Sequence, residues 1–510
     1  MNKNNSIEIL VLAFLSLLIT VRWTPGGRVS LSEDVIIYNP KNVISLILDS
    51  PGQLEPTHFA LMPYIFYEFI ADILSFDFNS HVRLILFSTL FLWLYSTKLL
   101  IARILPSLKR RVHVVLSIYC VSAIWYTSSW LSSAKASQVI LTNMLIYIFL
   151  GKSNLKQKLN WSFLCIFFNL SVFTNLGAVS AMMVLFLLLF YLFGRHNLKI
   201  YLLGFLSPSL RKNFFSFIIL LVIVGALYAN FLMKSPSLLS QSSFTGATNS
   251  SVFKLIQLRG GWWENGGFEF QGKVFEYVPW INNLEHPVII ASRLILFLIP
   301  IILVFFLNAR IGHQNNQGEL QLFTKIVTVT LFMTIVSSGD NLIPGYSAAL
   351  SNITLLQIFR EPWSKFGPYL ALSATISLGY CLHVLKKRFQ KIDSNKLMNI
   401  LIFSTLLISA QSLLAQNLQS YGSPLTLNKL KARQIELITN EINASDKKSC
   451  IFYSLDQNIV RSQQEAMVIY SRLEIKPNNL NPNGSLNNEI CESQGNYIFI
   501  DQDLIRKVFF

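Results

Sequence analysis

Continuous apolar runs about 20 residues long recur between residues 7 and 415, and they constrain the fold more than any other feature of the sequence. A helix of that length crosses the roughly 30 Å hydrocarbon core of a bilayer. The runs do not alternate apolar with polar residues, which excludes a membrane β-barrel. The chain has 52% hydrophobic and 13% charged residues, whereas soluble domains carry about 25% charged residues. We therefore predict an all-α polytopic membrane protein.

About eleven spans are predicted, with the N-terminus in the cytoplasm and the C-terminus outside. This orientation places the basic loops, including Lys109–Arg111 and Lys386–Arg388, in the cytoplasm. No small-residue cleavage pattern follows the first run, so it is predicted to be a retained span rather than a signal peptide. The apolar segment 57–77 contains Glu68 and Asp72, and it is either an interfacial or re-entrant helix or a further span. The predicted spans are 7–21, 82–105, 112–130, 137–150, 161–173, 178–193, 213–233, 288–308, 322–338, 367–385 and 397–415.

Two regions of different composition are predicted. Residues 1–415 form the transmembrane domain, with outer loops at 22–81, 234–287 and 339–366. Residues 416–510 are polar and are predicted to form a small extracytoplasmic α/β domain, with helices at 425–443 and 462–470 and strands at 450–455 and 497–501. Cys450 and Cys491 lie in this domain, where an oxidising compartment would allow a disulfide between them.

The net charge of +16 does not indicate a nucleic-acid partner. Lys and Arg collect in short loops between spans, as the positive-inside rule predicts, and no basic motif with a base-reading element is present. No Cys/His spacing of a structural zinc site occurs. The sequence also lacks a Walker A, GxSxG or HExxH pattern.

The first outer loop carries an adjacent acid pair, Glu33-Asp34, followed by Glu55 and His58. A carboxylate just outside a membrane can deprotonate an acceptor hydroxyl or hold a metal. The alternative is a pair of solvated loop acids. Turn signals at 25–27 favour a structured loop, which is more than a simple connection between spans needs.

Two further outer stretches carry candidate binding residues. Arg360 and Lys365 flank aromatic residues at the outer end of a predicted span, and they suit a phosphate held at the membrane surface. The alternative is a pair of snorkelling cations beside interfacial Trp. Trp262, Trp263 and Glu264 lie among glycines, where paired indoles could stack on a sugar; interfacial anchoring is the alternative.

Charged and titratable residues inside the predicted spans are few. Arg83 lies near an outer end and Lys98 could extend its ammonium group toward the interface, so neither requires a transport role. His383 is interpreted as isolated, as are His196, His286 and His313.

The order of these parts resembles the GT-C superfamily of membrane glycosyltransferases. In that family a first span is followed by a large outer loop with an acidic catalytic residue and interfacial helices, and then by a span ending in a basic cytoplasmic turn. The stretches PGGRVSLSEDVIIYNP, PGQLEPTHFALMP and FREPWSKF are locally similar to the arabinofuranosyltransferase-like branch of the superfamily. The resemblance covers the layout of residues 1–385. The sequence departs from that branch in two ways. The residues that follow the Arg360 motif differ, and the large sugar-binding domains common in the branch are missing.

The resemblance implies an inverting glycosyltransferase with a polyprenyl-phosphate sugar donor and a cell-envelope glycan or lipid acceptor outside the membrane. Asp34 or Glu33 would be the general base, and Arg360 with Lys365 would hold the donor phosphate. His58, Glu55, Trp262, Trp263 and Glu264 would contact substrate. No cofactor is required, although a divalent metal is compatible with the family. The rival hypotheses are a transporter or flippase of lipid-linked sugars and a non-catalytic scaffold.

Overall fold

Helix dominates the computed structural model, which describes residues 3–24, 66–129 (without 68, 71–72 and 77), 133–194 (without 175), 250–260, 267–270, 273–276, 284–310, 317–353, 356, 359, 361–388, 394–415, 450–453 and 497–500. The α-helices are α1 (Lys3–Trp23), α2 (Phe78–Ile104), α3 (Arg110–Val121), α4 (Ile124–Ser129), α5 (Ser133–Phe149), α6 (Leu155–Phe168), α7 (Leu176–Gly194), α8 (Val252–Ile256), α9 (Pro287–Arg310), α10 (Gln317–Ser338), α11 (Tyr346–Asn352), α12 (Pro362–Arg388) and α13 (Ser394–Ala415). Turns of 3₁₀ helix lie at Leu170–Thr174 and Gly339–Asn341.

Five helices, α1, α2, α9, α10 and α12, are long and apolar enough to cross a membrane. Large apolar side chains point away from the bundle on several helices: Phe14, Phe305 and Phe403 are 60%, 69% and 65% exposed. Exposed apolar surface of this extent suits lipid rather than water. The chain is thus a helical integral membrane protein. Every predicted span within the described residues is helical at least in part, and the span predicted at 213–233 lies outside them.

Contacts between helix termini define two ends of the bundle. At one end, Glu8 near the start of α1 pairs with Lys98 near the end of α2. At the other end, the Trp23 indole near the end of α1 donates to the Leu413 carbonyl near the end of α13, at 2.8 Å. We call the first end the basic end, because it carries Lys109, Arg110, Arg111, Lys152, Lys386 and Lys387, and the second the opposite end.

Helix α12 forms the centre of the bundle. In the stretch of α12 that is long enough to cross a membrane, 89% of the residues are buried, whereas the share is 28% in the corresponding stretches of α1 and α9. Small residues allow this close packing: a Cβ at Gly379 would lie 2.5 Å from Leu105 Cδ1 and 2.9 Å from Leu116 Cδ1. A hydroxyl pair, Thr330 and Ser377 at 2.7 Å, joins α10 to α12. Small residues and interhelical hydroxyl bonds are the usual means of close helix packing in a bilayer, where apolar burial alone gives little driving force.

The predicted span 112–130 differs from the structure, which divides it into α3 and α4. Ser122 ends α3, and its hydroxyl donates to the Tyr119 carbonyl at 2.7 Å. The Ser122 carbonyl accepts from Arg293 at 3.2 Å instead of continuing the helix. The first amide of α4, at Ile124, donates to the Leu258 carbonyl at 3.3 Å. Bonds from distant segments therefore satisfy the backbone at the break.

Of the interpretations of charged residues, one is wrong and another gains a partner. Lys98 is 9% exposed and its ammonium group pairs with Glu8 at the basic end. His383 is not isolated: its Nε2 lies 2.9 Å from Glu319 Oε1, and its Nδ1 lies 2.7 Å from Ser107 Oγ. Both contacts join helices far apart in sequence, which a pattern within one segment does not reveal. Arg83 donates to the Thr24 carbonyl at 2.9 Å, just beyond the end of α1.

Only parts of the remaining predicted segments are described. In the segment 57–77, Phe66 and Phe69 are helical and exposed, whereas Tyr67 packs against the core. The antiparallel pair β1 (Gly267–Phe270) and β2 (Lys273–Glu276) lies in the predicted loop 234–287. In the tail, β3 (Cys450–Tyr453) and β4 (Tyr497–Ile500) pair in parallel where strands were predicted. The helices predicted at 425–443 and 462–470, and Cys491, lie outside the described residues.

Candidate functional site

One predicted site residue, Lys365, falls within the described part of the chain. It lies in the first turn of α12, at the opposite end of the bundle, and it is 9% exposed. The other predicted site residues lie outside the described residues: Glu33, Asp34, Glu55, His58, Trp262, Trp263, Glu264 and Arg360. Their roles therefore remain predictions, and the described part of the site centres on Lys365.

The first turn of α12 is held by side chains from two other helices. Pro368 has no amide hydrogen, so it leaves the Ser364 carbonyl without its usual donor four residues ahead. The Trp125 indole of α4 takes that place and donates to Ser364 O at 3.0 Å. The Gln138 amide of α5 donates to the Lys365 carbonyl at 2.9 Å. Lys365 is thereby fixed through its backbone, independently of its ammonium group.

The segment after α8 packs against the same turn. Gly260 has φ +155°, and a Cβ there would lie 2.9 Å from Cδ2 of Trp363. Glycine therefore allows the backbone to approach the buried indole. Arg259, beside it, is 2% exposed, and its Nη2 lies 3.3 Å from Oε1 of Glu285, which is about half exposed.

Three buried cations lie on this turn and on the two segments that contact it. Besides Lys365 and Arg259, Lys135 is 9% exposed in the first turn of α5, on the same helix face as Gln138. The N-termini of α5 and α12 add the positive ends of two helix dipoles. Arg259 is paired with Glu285. The positive potential of the three cations and the two helix ends suits an anionic group at this end of the bundle.

Several buried polar atoms here have no hydrogen-bond partner within the described ranges. They are Trp363 Nε1, Ser364 Oγ, Gln138 Oε1 and Gln257 Oε1. An indole N–H can only donate and a side-chain carbonyl can only accept, while a hydroxyl does both. Buried polar groups are nearly always bonded, so unsatisfied ones call for an explanation. A ligand with oxygen acceptors and hydroxyl groups would satisfy this set.

The connection between α10 and α12 is tied down beside the site. The Asp340 carboxylate accepts from the Ser347 amide at 2.8 Å, and the Tyr346 hydroxyl donates to the Phe359 carbonyl at 2.7 Å. Burial raises the pKa of Tyr346, and the Asp340 charge raises it further, so the phenol stays protonated as the donor. The Phe359 ring stacks on Phe366 with centroids 5.7 Å apart. Phe359, the residue before Arg360, is thus held through both its carbonyl and its ring.

Sequence reasoning did not select Lys135, Gln138 or Arg259 as site residues. A signal existed for the two cations, because a Lys or Arg in a segment predicted to lie outside departs from the positive-inside bias. Gln138 carried no signal of its own, since one buried amide within an apolar helix is compatible with ordinary packing.

Arg293 is a buried cation that sequence reasoning also missed. It lies in α9 and is 4% exposed. It donates to the Gln257 carbonyl at 2.7 Å, to the Ser122 carbonyl at 3.2 Å and to Ser412 Oγ at 3.1 Å from its Nε. The two carbonyls belong to C-cap residues of α8 and α3, where a cation is favourable. Arg293 thus supports the segment that carries Arg259.

Among the residues described here, no group of three or more His, Cys, Asp and Glu side chains could hold a metal ion. The divalent metal compatible with the resemblance stays a prediction. No protein-family model matches the chain, and no curated protein matches it.

Proposed function

We propose that the chain is a membrane glycosyltransferase that transfers a sugar from a polyprenyl-phosphate donor to a cell-envelope glycan or lipid acceptor. The reaction takes place at the opposite end of the bundle, which faces outside. The observation that carries the proposal is the buried cationic site around the first turn of α12, with Lys365, Lys135 and Arg259. A lipid-linked donor presents its phosphate at the membrane surface, beside a helix end of this kind.

Lys365 and Arg360 hold the donor phosphate, which is the leaving group. Negative charge grows on that phosphate as the bond to the sugar breaks, and preorganised cations stabilise the developing charge. Lys135 and Arg259 add to the positive potential from α5 and from the segment after α8. This electrostatic contribution is the main catalytic effect that the residues of the site supply.

Asp34 or Glu33 is the general base. It takes the proton from the acceptor hydroxyl as that oxygen attacks the sugar carbon from the side away from the phosphate, so the configuration inverts. Glu55, His58, Trp262, Trp263 and Glu264 contact the sugar and the acceptor. The basic side chains neutralise the phosphate with or without a divalent metal.

The test is donor consumption by the full-length protein in nanodiscs, with a panel of polyprenyl-phosphate sugars and a membrane extract that supplies acceptors. Wild type is expected to consume one donor. Replacement of the base lowers turnover by about 10² to 10⁴ fold, so either Asp34→Asn or Glu33→Gln should do so. The same variant should keep its affinity for the donor.

Lys365→Met separates binding from proton transfer. We expect its Kd for the donor to rise about tenfold or more, because a lost charge-assisted bond contributes 1.5 kcal/mol or more. The bond from Gln138 to the Lys365 carbonyl is retained in this variant. Lys109→Met, which removes an exposed cation at the basic end, is the control. Normal turnover in both acid variants, or normal donor affinity in Lys365→Met, would contradict the proposal.

A further inference from the structure

At the basic end, three side chains from separate elements form one line of hydrogen bonds. Ser107, in the turn between α2 and α3, has its Oγ 2.7 Å from Nδ1 of His383 on α12. The other ring nitrogen, Nε2, lies 2.9 Å from Oε1 of Glu319 on α10. Lys387 Nζ lies 2.7 Å from the second oxygen of the same carboxylate. None of these residues belongs to the site at the opposite end.

The chemistry of the partners fixes the direction of these bonds. An ionised carboxylate only accepts, and the Lys387 ammonium beside Glu319 favours the ionised form. His383 Nε2 therefore carries the hydrogen that bonds Glu319. In the neutral ring this leaves a lone pair on Nδ1, so the Ser107 hydroxyl donates to it. This order of hydroxyl, imidazole and carboxylate is the arrangement by which a serine is activated as a nucleophile.

Packing holds the three groups in place. Gly379, one helical turn before His383, lets α12 contact Leu105 in the chain just before Ser107. The His383 ring also meets the edge of Tyr380, with centroids 5.6 Å apart. His383 and Lys387 are four residues apart on one helix face, and both reach Glu319. The imidazole is therefore oriented by contacts on both sides.

The serine is accessible, and its surroundings are positive. Ser107 is exposed, and so are Lys109 and Arg110, which follow it. Helix α3 begins at Arg110, so the positive end of its dipole lies beside Ser107 and favours negative charge. Glu319 and His383 are partly buried beneath the serine. An electrophile that carries negative charge is thus favoured at this position.

We propose that Ser107 is a nucleophile that accepts an acyl group from an anionic ester or thioester at the basic end of the bundle. Ser107 Oγ forms a bond to the acyl carbon, and its proton passes to His383 Nδ1. The carbon–oxygen or carbon–sulfur bond of the donor then breaks, and the departing alkoxide or thiolate takes that proton from His383. Glu319 stabilises the imidazolium between the two steps. This activity does not depend on the proposed glycosyl transfer, because the two reactions use opposite ends of the protein.

A fluorophosphonate probe on the full-length protein in nanodiscs tests the proposal. Attack by Ser107 forms an oxygen–phosphorus bond and expels fluoride, while the proton goes to His383. Peptide mapping should find the label on Ser107 in wild type and none there in Ser107→Ala. His383→Gln should slow labelling at least 10² fold. Ser153→Ala, which removes another exposed serine at the basic end, should leave the rate unchanged.

Two further measurements keep the test decisive where His383→Gln is unstable. Ser107→Cys should react with iodoacetamide at least tenfold faster than Ser153→Cys, because only the first thiol lies beside His383. Wild type should also release para-nitrophenolate faster from the anionic hemisuccinate ester than from the acetate ester. An unlabelled Ser107 in protein with wild-type Tm, or equal reactivity of the two thiols, would overturn the proposal. Equal rates with the two esters would overturn its preference for anions.

Discussion

At the scale of single residues, the buried cations Lys98, Arg259 and Arg293 are held by carboxylates or backbone carbonyls of other segments. Arg293 shows this most clearly. Its guanidinium joins two C-cap carbonyls and the Ser412 hydroxyl of α13. These contacts connect four parts of the chain that lie far apart in sequence. A planar guanidinium with five donors can serve several separated acceptors at once, whereas an ammonium has three donors on a single atom.

Arg293→Met is expected to lower the free energy of unfolding by about 3 kcal/mol or more, because two buried carbonyls lose a charged donor. The measurement is the thermal midpoint in detergent, followed by the fluorescence of the nine tryptophans. Arg293→Lys should fall between wild type and Met, since one ammonium reaches fewer of the acceptors. A wild-type midpoint in Arg293→Met would contradict the structural role given to this residue.

At the scale of elements, the position of α12 depends on glycines that face neighbouring helices. Gly379 leaves room for Leu105 and Leu116, and Gly367 lies against Trp125 and Trp363 in the same way. These contacts set the position of the whole helix, and with it Lys365 at one end and His383 at the other.

Gly379→Ala is expected to destabilise the protein by roughly 1–3 kcal/mol, as overpacking does in other cores. The added methyl would meet Leu105 Cδ1 at 2.5 Å. Gly318→Ala is the matched control, because it lies in α10 with nothing within 4 Å of the new Cβ. The control should be neutral or slightly stabilising. Equal thermal midpoints for the two variants would show that α12 can shift to accommodate the methyl group.

At the scale of the whole molecule, the basic loops meet at one end of the bundle and the candidate glycosyl-transfer site lies at the other. If the positive-inside rule orients the chain, the basic end faces the cytoplasm. The proposed acyl transfer at the basic end and the proposed glycosyl transfer at the opposite end would then take place on different sides of the membrane.

Cysteine labelling in intact cells checks this orientation. In a background where Cys450 and Cys491 are replaced by Ser, a membrane-impermeant maleimide should label Leu342→Cys at the opposite end. It should label Ser153→Cys only after the cells are opened. Both positions are exposed. The reverse pattern would place the proposed glycosyl transfer in the cytoplasm and would exclude the outer-face reaction.

The sequence predicts the helices of this protein better than it predicts their contacts. Apolar runs are local, so the positions of α1, α2, α9, α10 and α12 follow from length and hydropathy alone. The break between α3 and α4 depends on Arg293 and on Leu258, which lie far along the chain. The bond between Ser107 and His383 spans 276 positions. Contacts of that kind require the fold, whereas Lys365 was predicted because aromatic and basic residues cluster around it locally.

The bond from Trp125 to the Ser364 carbonyl has a consequence for how this protein can vary. Trp125 supplies the hydrogen that Pro368 lacks, so the two positions are linked although they lie on different helices. Trp125→Phe alone leaves the buried Ser364 carbonyl without a donor, whereas Pro368→Ala restores an amide donor within the helix. The free energy of unfolding of the double variant should therefore be higher than the sum of the two single effects predicts. In descendants of this chain, an amino acid with an amide hydrogen at 368 should accompany the loss of the indole at 125.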